Sequence, residues 1–313
     1  MTAPANSAPL RLRLLTYNIR YATSSPSKGE RPWADRAPLV LNQIRHETWP
    51  LTKAAGGAAT GFVCLQEVLH AQLLDVLHGL NGLPPPSGPH AEPPRGPVWA
   101  HVGSGRDDGK TKGEYSPIIY PVDAFDLLHA ETVWLSPTPD RPGKGWDAGS
   151  IRILTVAVFE HKASKRRVVA SNTHLDNAGA KSRLESVAVI LKTLKRVEGE
   201  WGRGGEVGIF LTGDFNSFPT QEAYKAMKDS GYLRDVHDAV GPESRHGEGI
   251  TFTGFQPDKE KHLQGRIDFV WLGPQGGEDR WAVDQYSVLP NRFEAGVYLS
   301  DHRAVVGDVT LLR

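Results

Sequence analysis

Carboxylates, carboxamides and imidazoles recur in this chain where short apolar runs end. Asn18 falls at the end of the run 10–19, Gln66 and Glu67 follow 62–65, and His174 follows 167–173. Asp214 and Asn216 follow the wholly apolar run 207–211. Glu114 precedes the run 116–122, Asp268 stands among Ile267, Phe269 and Val270, and Asp301-His302 opens the last run, 303–312. In Leu211-Thr212-Gly213-Asp214-Phe215-Asn216-Ser217 the acid and the amide alternate by two, so both face the same way at a strand end. Gly213 there admits close backbone approach. A carboxylate and a carboxamide held rigidly in this way suit a hard cation or an activated water. Alone, the stretch would read as an Asx-rich turn closing a strand, and Asp301-His302 as a turn acid beside a surface imidazole.

The set is harder to dismiss than its members. Glu67 directly follows four apolar residues, an expensive place for a charge unless it is paired or metal-bound. Asp268 needs a partner for the same reason. An imidazole is the natural one, because a carboxylate fixes the ring and raises its basicity. Glu114 is a candidate for the same service to His174. Chemistry suggests these pairings; spacing does not.

The elements that must position these groups alternate along the chain. Runs 10–19, 62–65, 99–103, 116–122, 132–136, 152–161, 167–173, 207–211, 267–272 and 303–312 read as strands. Segments 37–47, 70–80, 181–201 and 220–230 read as helices. For 181–201 the apolar face is Leu184, Val187, Ala188, Leu191, Leu194 and Trp201. Thr220 is the expected N-cap of the last helix, with Gly231 past its end. Trp33, Asp35 and Arg36 are expected in a polar loop, and 52–61 is a small, Gly/Ala-rich connection. The Pro/Gly-rich stretch 81–97 reads as a surface insertion, because the strand pattern resumes after it. The basic run 162–167 reads as a solvated hairpin. Strands outnumber helices and polar groups recur at strand ends. The expected fold is an α/β sandwich, sheets inside and helices outside, with one site along a shared edge.

Composition narrows the chemistry. The 313 residues carry 36 Lys+Arg against 36 Asp+Glu, a formal net charge of +0. That argues against a protein held to long nucleic acid mainly by charge. The one cysteine, Cys64, lies in an apolar run and reads as a buried thiol, so neither a disulfide framework nor a Cys-based zinc site arises. Gly105-Arg106-Asp107-Asp108-Gly109-Lys110-Thr111 imitates a phosphate-binding P-loop, but it has three residues between its glycines where that motif needs four, and two are acidic. No Gly-x-Ser-x-Gly elbow offers a serine nucleophile. Residues 1–9 read as a disordered lead without signal-peptide character, and 10–313 as one domain. The expectation is a soluble, cytoplasmic monomer with no membrane partner.

Seven segments, in order, carry a family likeness: TYNIRY (16–21), LQEV (65–68), GEYSPIIY (113–120), NTHLDN (172–177), TGDFNS (212–217), RIDFV (266–270) and SDHRAV (300–305). Together they resemble the endonuclease/exonuclease/phosphatase superfamily, in a branch nearest the deadenylase/nocturnin group. The resemblance implies a four-layer α-β-β-α, DNase I-like sandwich and a Mg²⁺-dependent phosphoester hydrolase, with Mn²⁺ as a substitute. It implies Asn18, Glu67 and Asp301 at the metal, with Asp214 and Asn216 orienting water and phosphate. His302 would be a catalytic imidazole supported by Asp268, and His174 a phosphate contact supported by Glu114. Arg20, Arg106, Asp176 and Trp146 are substrate-binding candidates, with Lys110 a further phosphate clamp. Trp33, Trp134 and Trp146 are candidates to stack a base or ring, or else simply anchor their loops. The first expectation is a phosphodiesterase or nuclease, exonuclease-like or endonuclease, acting on nucleic acid or nucleotide. The alternatives are a phosphomonoesterase of a nucleotide, inositol or sugar phosphate and, in another class, an inactive interaction module. No amphipathic anchor supports lipid hydrolysis at a membrane.

Overall fold

The computed structural model describes residues 8–53, 59–202, 207–259, 261–276 and 280–312. Most of the expected lead, 1–7, and the middle of the small-residue connection, 54–58, lie outside these. The chain opens with β1 (Leu10–Asn18), α1 (Trp33–Lys53), β2 (Thr60–Gln66), α2 (His70–Leu80), β3 (Trp99–Val102) and β4 (Ile118–Pro121). β5 (Phe125–Trp134), β6 (Ile153–His161), β7 (Arg167–His174), α3 (Ala180–Trp201) and β8 (Val207–Asp214) follow. It closes with α4 (Glu222–Asp229), β9 (Arg234–Asp235), β10 (Arg245–Gly247), β11 (Asp268–Gly273), β12 (Trp281–Val288) and β13 (Val305–Leu311).

Two mixed sheets stack. One runs β10-β12-β13-β1-β2-β4-β3 and the other β5-β6-β7-β8-β11-β9. Leu12, Phe62 and Cys64 of the first meet Phe159, Val168, Phe210 and Val270 of the second in a shared core. Phe62 lies there with ring centroids of Phe125, Phe159 and Phe210 at 4.8, 5.2 and 5.2 Å. Leu15, Tyr17 and Val63 turn outward against Val40, Ile44, Leu73 and Leu77 of α1 and α2. Ile209, Leu211 and Phe269 do the same against Val187, Ile190 and Met227 of α3 and α4. This is the expected four-layer sandwich, and it explains why β2 and β8 are buried throughout: each is covered on both faces.

Register then places the chemistry. β1 and β2 are parallel with Asn18 opposite Gln66, and β7 and β8 are parallel with His174 opposite Asp214. β11 runs antiparallel to β8 with Asp268 opposite Asp214. Both parallel pairs thus present their carboxyl ends on one edge, where open α/β sheets bind ligands. Gly213 is required there: its φ is +151° and an added Cβ would lie 2.2 Å from the Thr173 carbonyl oxygen. Beneath that edge a buried polar ladder ties the sheets. Gln66 Nε2 donates to Asn172 Oδ1 (2.7 Å) and Thr16 Oγ1 (3.0 Å), and Thr212 Oγ1 donates to Asn172 Oδ1 (3.2 Å).

Several expectations are corrected. α1 begins at Trp33, so Trp33, Asp35 and Arg36 are helical. Pro38, which has no N–H to bond the Ala34 carbonyl, lies inside the helix without ending it. The first turn is held instead by the fully buried Arg36, which donates to the carbonyls of Ile19 and Leu299 (2.8 Å each), Arg31 (3.0 Å) and Arg20 (3.2 Å). α3 buries Arg183, Ser186, Val187, Ile190, Leu194 and Val197, while Leu184 is 44% exposed. Arg183 earns its buried place by pairing Glu222 (2.6 Å) and the Asp176 carbonyl (2.9 Å). α4 starts after Gln221, not at a Thr220 cap; Gln221 Oε1 accepts from the Phe218 N–H (2.7 Å). β5 extends far beyond 132–136, and β12 was not anticipated; both carry exposed polar residues that blur the pattern. Within 81–97 there is neither helix nor strand, and Asn81 clamps its ends by accepting from the Val98 and Trp99 N–H groups (2.8 Å each).

Candidate active site

Asp214 is the centre of the edge. It is 1% exposed. Its Oδ1 accepts from the Asn216 N–H (2.8 Å) and its Oδ2 from Asn18 Nδ2 (3.0 Å). The same Oδ2 stands 3.4 Å from His174 Nε2 and 3.6 Å from His302 Nε2. Burial, then the charge of Asp268, raise its proton affinity. A carboxylate of raised basicity between two imidazoles is equipped to take a proton from water.

The two rings differ in charge. His302 Nδ1 lies 2.9 Å from Asp268 Oδ2. Burial alone would lower its pKa, but Asp268 and Asp214 override it and hold the pKa near about 10, so the ring is a cation at neutral pH. His174 is pushed down to about 3 by burial and by Arg152, against the opposing pull of Asp214 and Glu67. Asn216 Nδ2 donates to the Leu175 carbonyl (3.0 Å) and faces His174 Nε2 at 2.9 Å. A neutral His174 accepting at Nε2 and carrying its proton on Nδ1 satisfies that network.

Glu67 and Asp301 form the open side. Glu67 accepts from Asn18 Nδ2 (3.1 Å) and the Tyr21 N–H (3.1 Å), with Arg20 Nη1 at 3.7 Å. Asp301 accepts from Ser300 Oγ (3.2 Å). Burial and the charge of Glu67 push its carboxyl up to about 6. Two carboxylates that feel each other, both half-buried, form an oxygen-donor set that fits a hard divalent cation. A second group, Asp214, Asp268 and His302, has its ligand atoms within 4.8 Å. There the charged His302 already supplies the compensating cation. Asp235, His237 and Asp238 form a third such group, neutralised by Arg266 (2.5 Å) and Lys228 (3.0 Å).

Backbone strain marks the same place. Five described non-glycine residues have positive φ, and Arg20, Glu67 and Asn216 of this edge are among them at 59°, 58° and 46°. Such residues cluster at functional sites because the surrounding fold over-determines them. Trp146, also among the five at 46°, lies in the loop whose Gly149 and Ser150 N–H groups bind Asp176.

The substrate candidates separate. Arg20 sits against Glu67 and Glu30, and Arg106 donates to Glu114 Oε2 at 2.7 Å. Glu114 is therefore nearer to Arg106 than to His174, whose Nδ1 is 3.7 Å away. Asp176 is fully buried, and both its oxygens are spent on backbone N–H groups and Arg152 (3.2 Å), so it does not face a substrate. Burial opposes ionisation there, but the N–H groups of Gly149, Gly179 and Ser150 and the charge of Arg152 hold its carboxyl far below the usual range. Lys110 is exposed on its loop. Trp33 and Trp134 are anchors: their indole N–H groups bond Asp75 Oδ2 and the Arg106 carbonyl (2.8 Å each). Cys64 is buried as expected, its thiol pushed up to about 12 by burial.

Sequence reasoning missed three positioning residues. Arg152 is 5% exposed and faces both Asp176 and Glu114. Ser300 Oγ donates to the Asn18 carbonyl (2.7 Å), joining the loop after β1 to the loop that carries Asp301. Arg36 pins those loops through Ile19 and Leu299. Each is a polar residue within an apolar run or beside a motif, and that was the available signal.

Comparison with known proteins agrees with this fold. Residues 15–302 match the Endonuclease/Exonuclease/phosphatase family model. A mannosyl-6-phosphatase of Bacteroides thetaiotaomicron superposes with TM-score 0.76 at 31% identity, covering 95% of this chain and 99% of that one. Another B. thetaiotaomicron protein of the endonuclease/exonuclease/phosphatase family gives TM-score 0.77 at 28% identity, with coverage of 97% and 98%. Mouse Nocturnin is 24% identical over 164 residues, 50% of this chain. The match spans only 37% of that relative's length. This chain belongs to the endonuclease/exonuclease/phosphatase family.

Proposed function

We propose that the chain is a divalent-metal-dependent hydrolase of a small phosphorylated metabolite, a sugar phosphate above all, in which water attacks the phosphorus in line with the leaving oxygen. The observation that carries the hydrolase reading is the meeting of Asp214, His174, His302, Asn216, Glu67 and Asp301 on one edge. Two facts reorder the sequence-based preference for a nuclease. The formal charge is +0, and over nearly the same span the sugar phosphatase superposes at 31% identity and TM-score 0.76, whereas the Nocturnin catalytic domain does so at 16% and 0.65.

The roles follow from position and charge. Mg²⁺ held by Glu67 and Asp301, with Asn18 beside them, would neutralise charge on the phosphoryl and leaving oxygens. Asp214 Oδ2 accepts the proton of the attacking water. His302, positively charged, donates from Nε2 to a phosphoryl oxygen as negative charge develops. Asn216 and the neutral His174 hold each other and orient the opposite side of the phosphate.

The test is a substrate panel with Mg²⁺ or Mn²⁺: mannose 6-phosphate and other sugar phosphates, inositol phosphates, nucleotides, single- and double-stranded DNA and poly(A) RNA. Release of inorganic phosphate from a sugar phosphate, abolished by EDTA, is the expected result. Cleavage of DNA or RNA without phosphate release from any monoester would restore the nuclease reading. No turnover of any substrate, bis-p-nitrophenyl phosphate included, would leave an interaction module.

A further inference from the structure

The loop that imitates a P-loop is built for something else. The Gly105 N–H bonds the Lys110 carbonyl (2.9 Å), Arg106 N–H the Glu114 carbonyl (3.0 Å) and Asp107 N–H the Lys112 carbonyl (3.1 Å). Asp108 Oδ1 accepts from the Lys110 and Lys112 N–H groups (2.8 and 3.0 Å). Trp134 fastens the Arg106 carbonyl from below. The loop is thus rigid, and it presents Arg106 and Glu114, whose side chains are 16% and 15% exposed, on the His174 side of the edge.

Behind them, hydrogen-bonding capacity is unspent. Three nitrogens converge on Glu114 Oε2: Arg106 Nη1 at 2.7 Å, His174 Nδ1 at 3.7 Å and Arg152 Nη1 at 4.0 Å. Only the first is a hydrogen bond. Arg106 Nε, Arg152 Nη1 and His174 Nδ1 are all buried with no hydrogen-bond partner, Arg106 Nε having only Asp107 Oδ1 at 3.8 Å. Buried donors are ordinarily satisfied, and a cluster of exceptions calls for a missing partner.

We infer that Arg106, Glu114 and Arg152 form the leaving-group pocket and that it recognises a polyhydroxylated leaving group through its hydroxyls. A hydroxyl both donates and accepts. Glu114 accepts a hydrogen bond from it, and the planar fork of Arg106, backed by Arg152, donates to its oxygen in fixed directions. The alternative, a second clamp on the phosphate itself, needs only positive charge and would not need Glu114 between the guanidiniums. This inference rests on the hydrolase reading and adds the identity of the group released.

The test compares kcat/KM for mannose 6-phosphate with that for p-nitrophenyl phosphate, which releases no sugar hydroxyls. It uses wild type, Arg106→Gln and Arg106→Lys, with thermal unfolding to confirm that the rigid loop leaves each variant folded. Sites built to bond a substrate hydroxyl discriminate strongly against analogues lacking it. The sugar-to-nitrophenyl ratio is therefore expected to fall at least about tenfold in both variants, since Lys keeps the charge but loses the fork. A ratio within about threefold of wild type overturns the inference while the hydrolase reading stands. Equal losses on both substrates, rescued by Lys, would likewise overturn it and make Arg106 a phosphate clamp. Turnover of p-nitrophenyl phosphate but no hexose phosphate also overturns it. No turnover of either removes the hydrolase reading and the inference together.

Discussion

Asp214 stands between two buried imidazoles that the fold treats in opposite ways. His302 enters from the loop before β13 and keeps its proton to about pH 10, whereas His174 ends β7 and is neutral down to about pH 3. Both rings are nearly as buried, at 4% and 6% exposure, so burial does not distinguish them. What differs is the nearest charge that remains unspent. Asp268 gives its Oδ2 to His302 at 2.9 Å. Glu114 is committed to Arg106, and Arg152 adds positive charge on the same flank. One side of the site therefore holds a proton donor and the other a fixed neutral ring beside an arginine pocket. The general lesson is that a desolvated group takes its charge state from the partner it does not share.

The sharpest way to break this comparison is to remove the charged side. His302→Ala and Asp214→Ala are each expected to lower kcat by about 10²–10⁴-fold. A variant keeping more than about a tenth of the wild-type rate would lose its assigned role. His174→Asn is expected to cost less, about 10–100-fold, as befits a positioning residue. Equal losses at the two histidines would dissolve the asymmetry. Asp268→Asn then tests its cause in the metal-free protein, by NMR titration of the His302 ring. Its pKa is expected to drop from about 10 toward the ordinary imidazole value of about 6.5. Because the folded pKa is raised, the stabilisation from this pair is fully present below about pH 6.5 and lost as pH rises through about 10. In Asp268→Asn that alkaline loss should shrink; an unchanged titration would assign the shift elsewhere.

The same asymmetry shows what the sequence could carry. Strands apolar on both faces, such as β8, announce a covered sheet, and the acids at their ends announce an edge site. Chemistry required an imidazole for Asp268, a lone acid among apolar residues, and the family resemblance supplied His302 as that partner. The Glu114–His174 pairing was assigned by the same logic and came out looser, because the competing guanidinium of Arg106 is local to the loop, where no periodicity speaks. Arg152 and Arg36 were overlooked for a related reason: sequence patterns count arginine as surface, and only tertiary contacts bury it. The start of α1 was set too late, since a local rule cannot foresee Arg36 holding the turn.

The smallest expected effect separates two fully buried acids, Asp268 and Asp176. Asp268 leaves Oδ1 without a partner and serves His302. Asp176 spends both oxygens, on the N–H groups of Gly149, Ser150, Ala178 and Gly179 and on Arg152. Asp176→Asn is therefore expected to destabilise the fold by about 1–3 kcal/mol at neutral pH, measured by chemical denaturation. Its carboxyl pKa is held below the usual range, so its contribution is present above the unfolded value of about 4 and is lost as pH falls. The gap between wild type and variant should accordingly narrow in acid below about pH 4. A variant as stable as wild type but with a raised KM would return Asp176 to the substrate, and the arginine flank would then hold a functional acid after all.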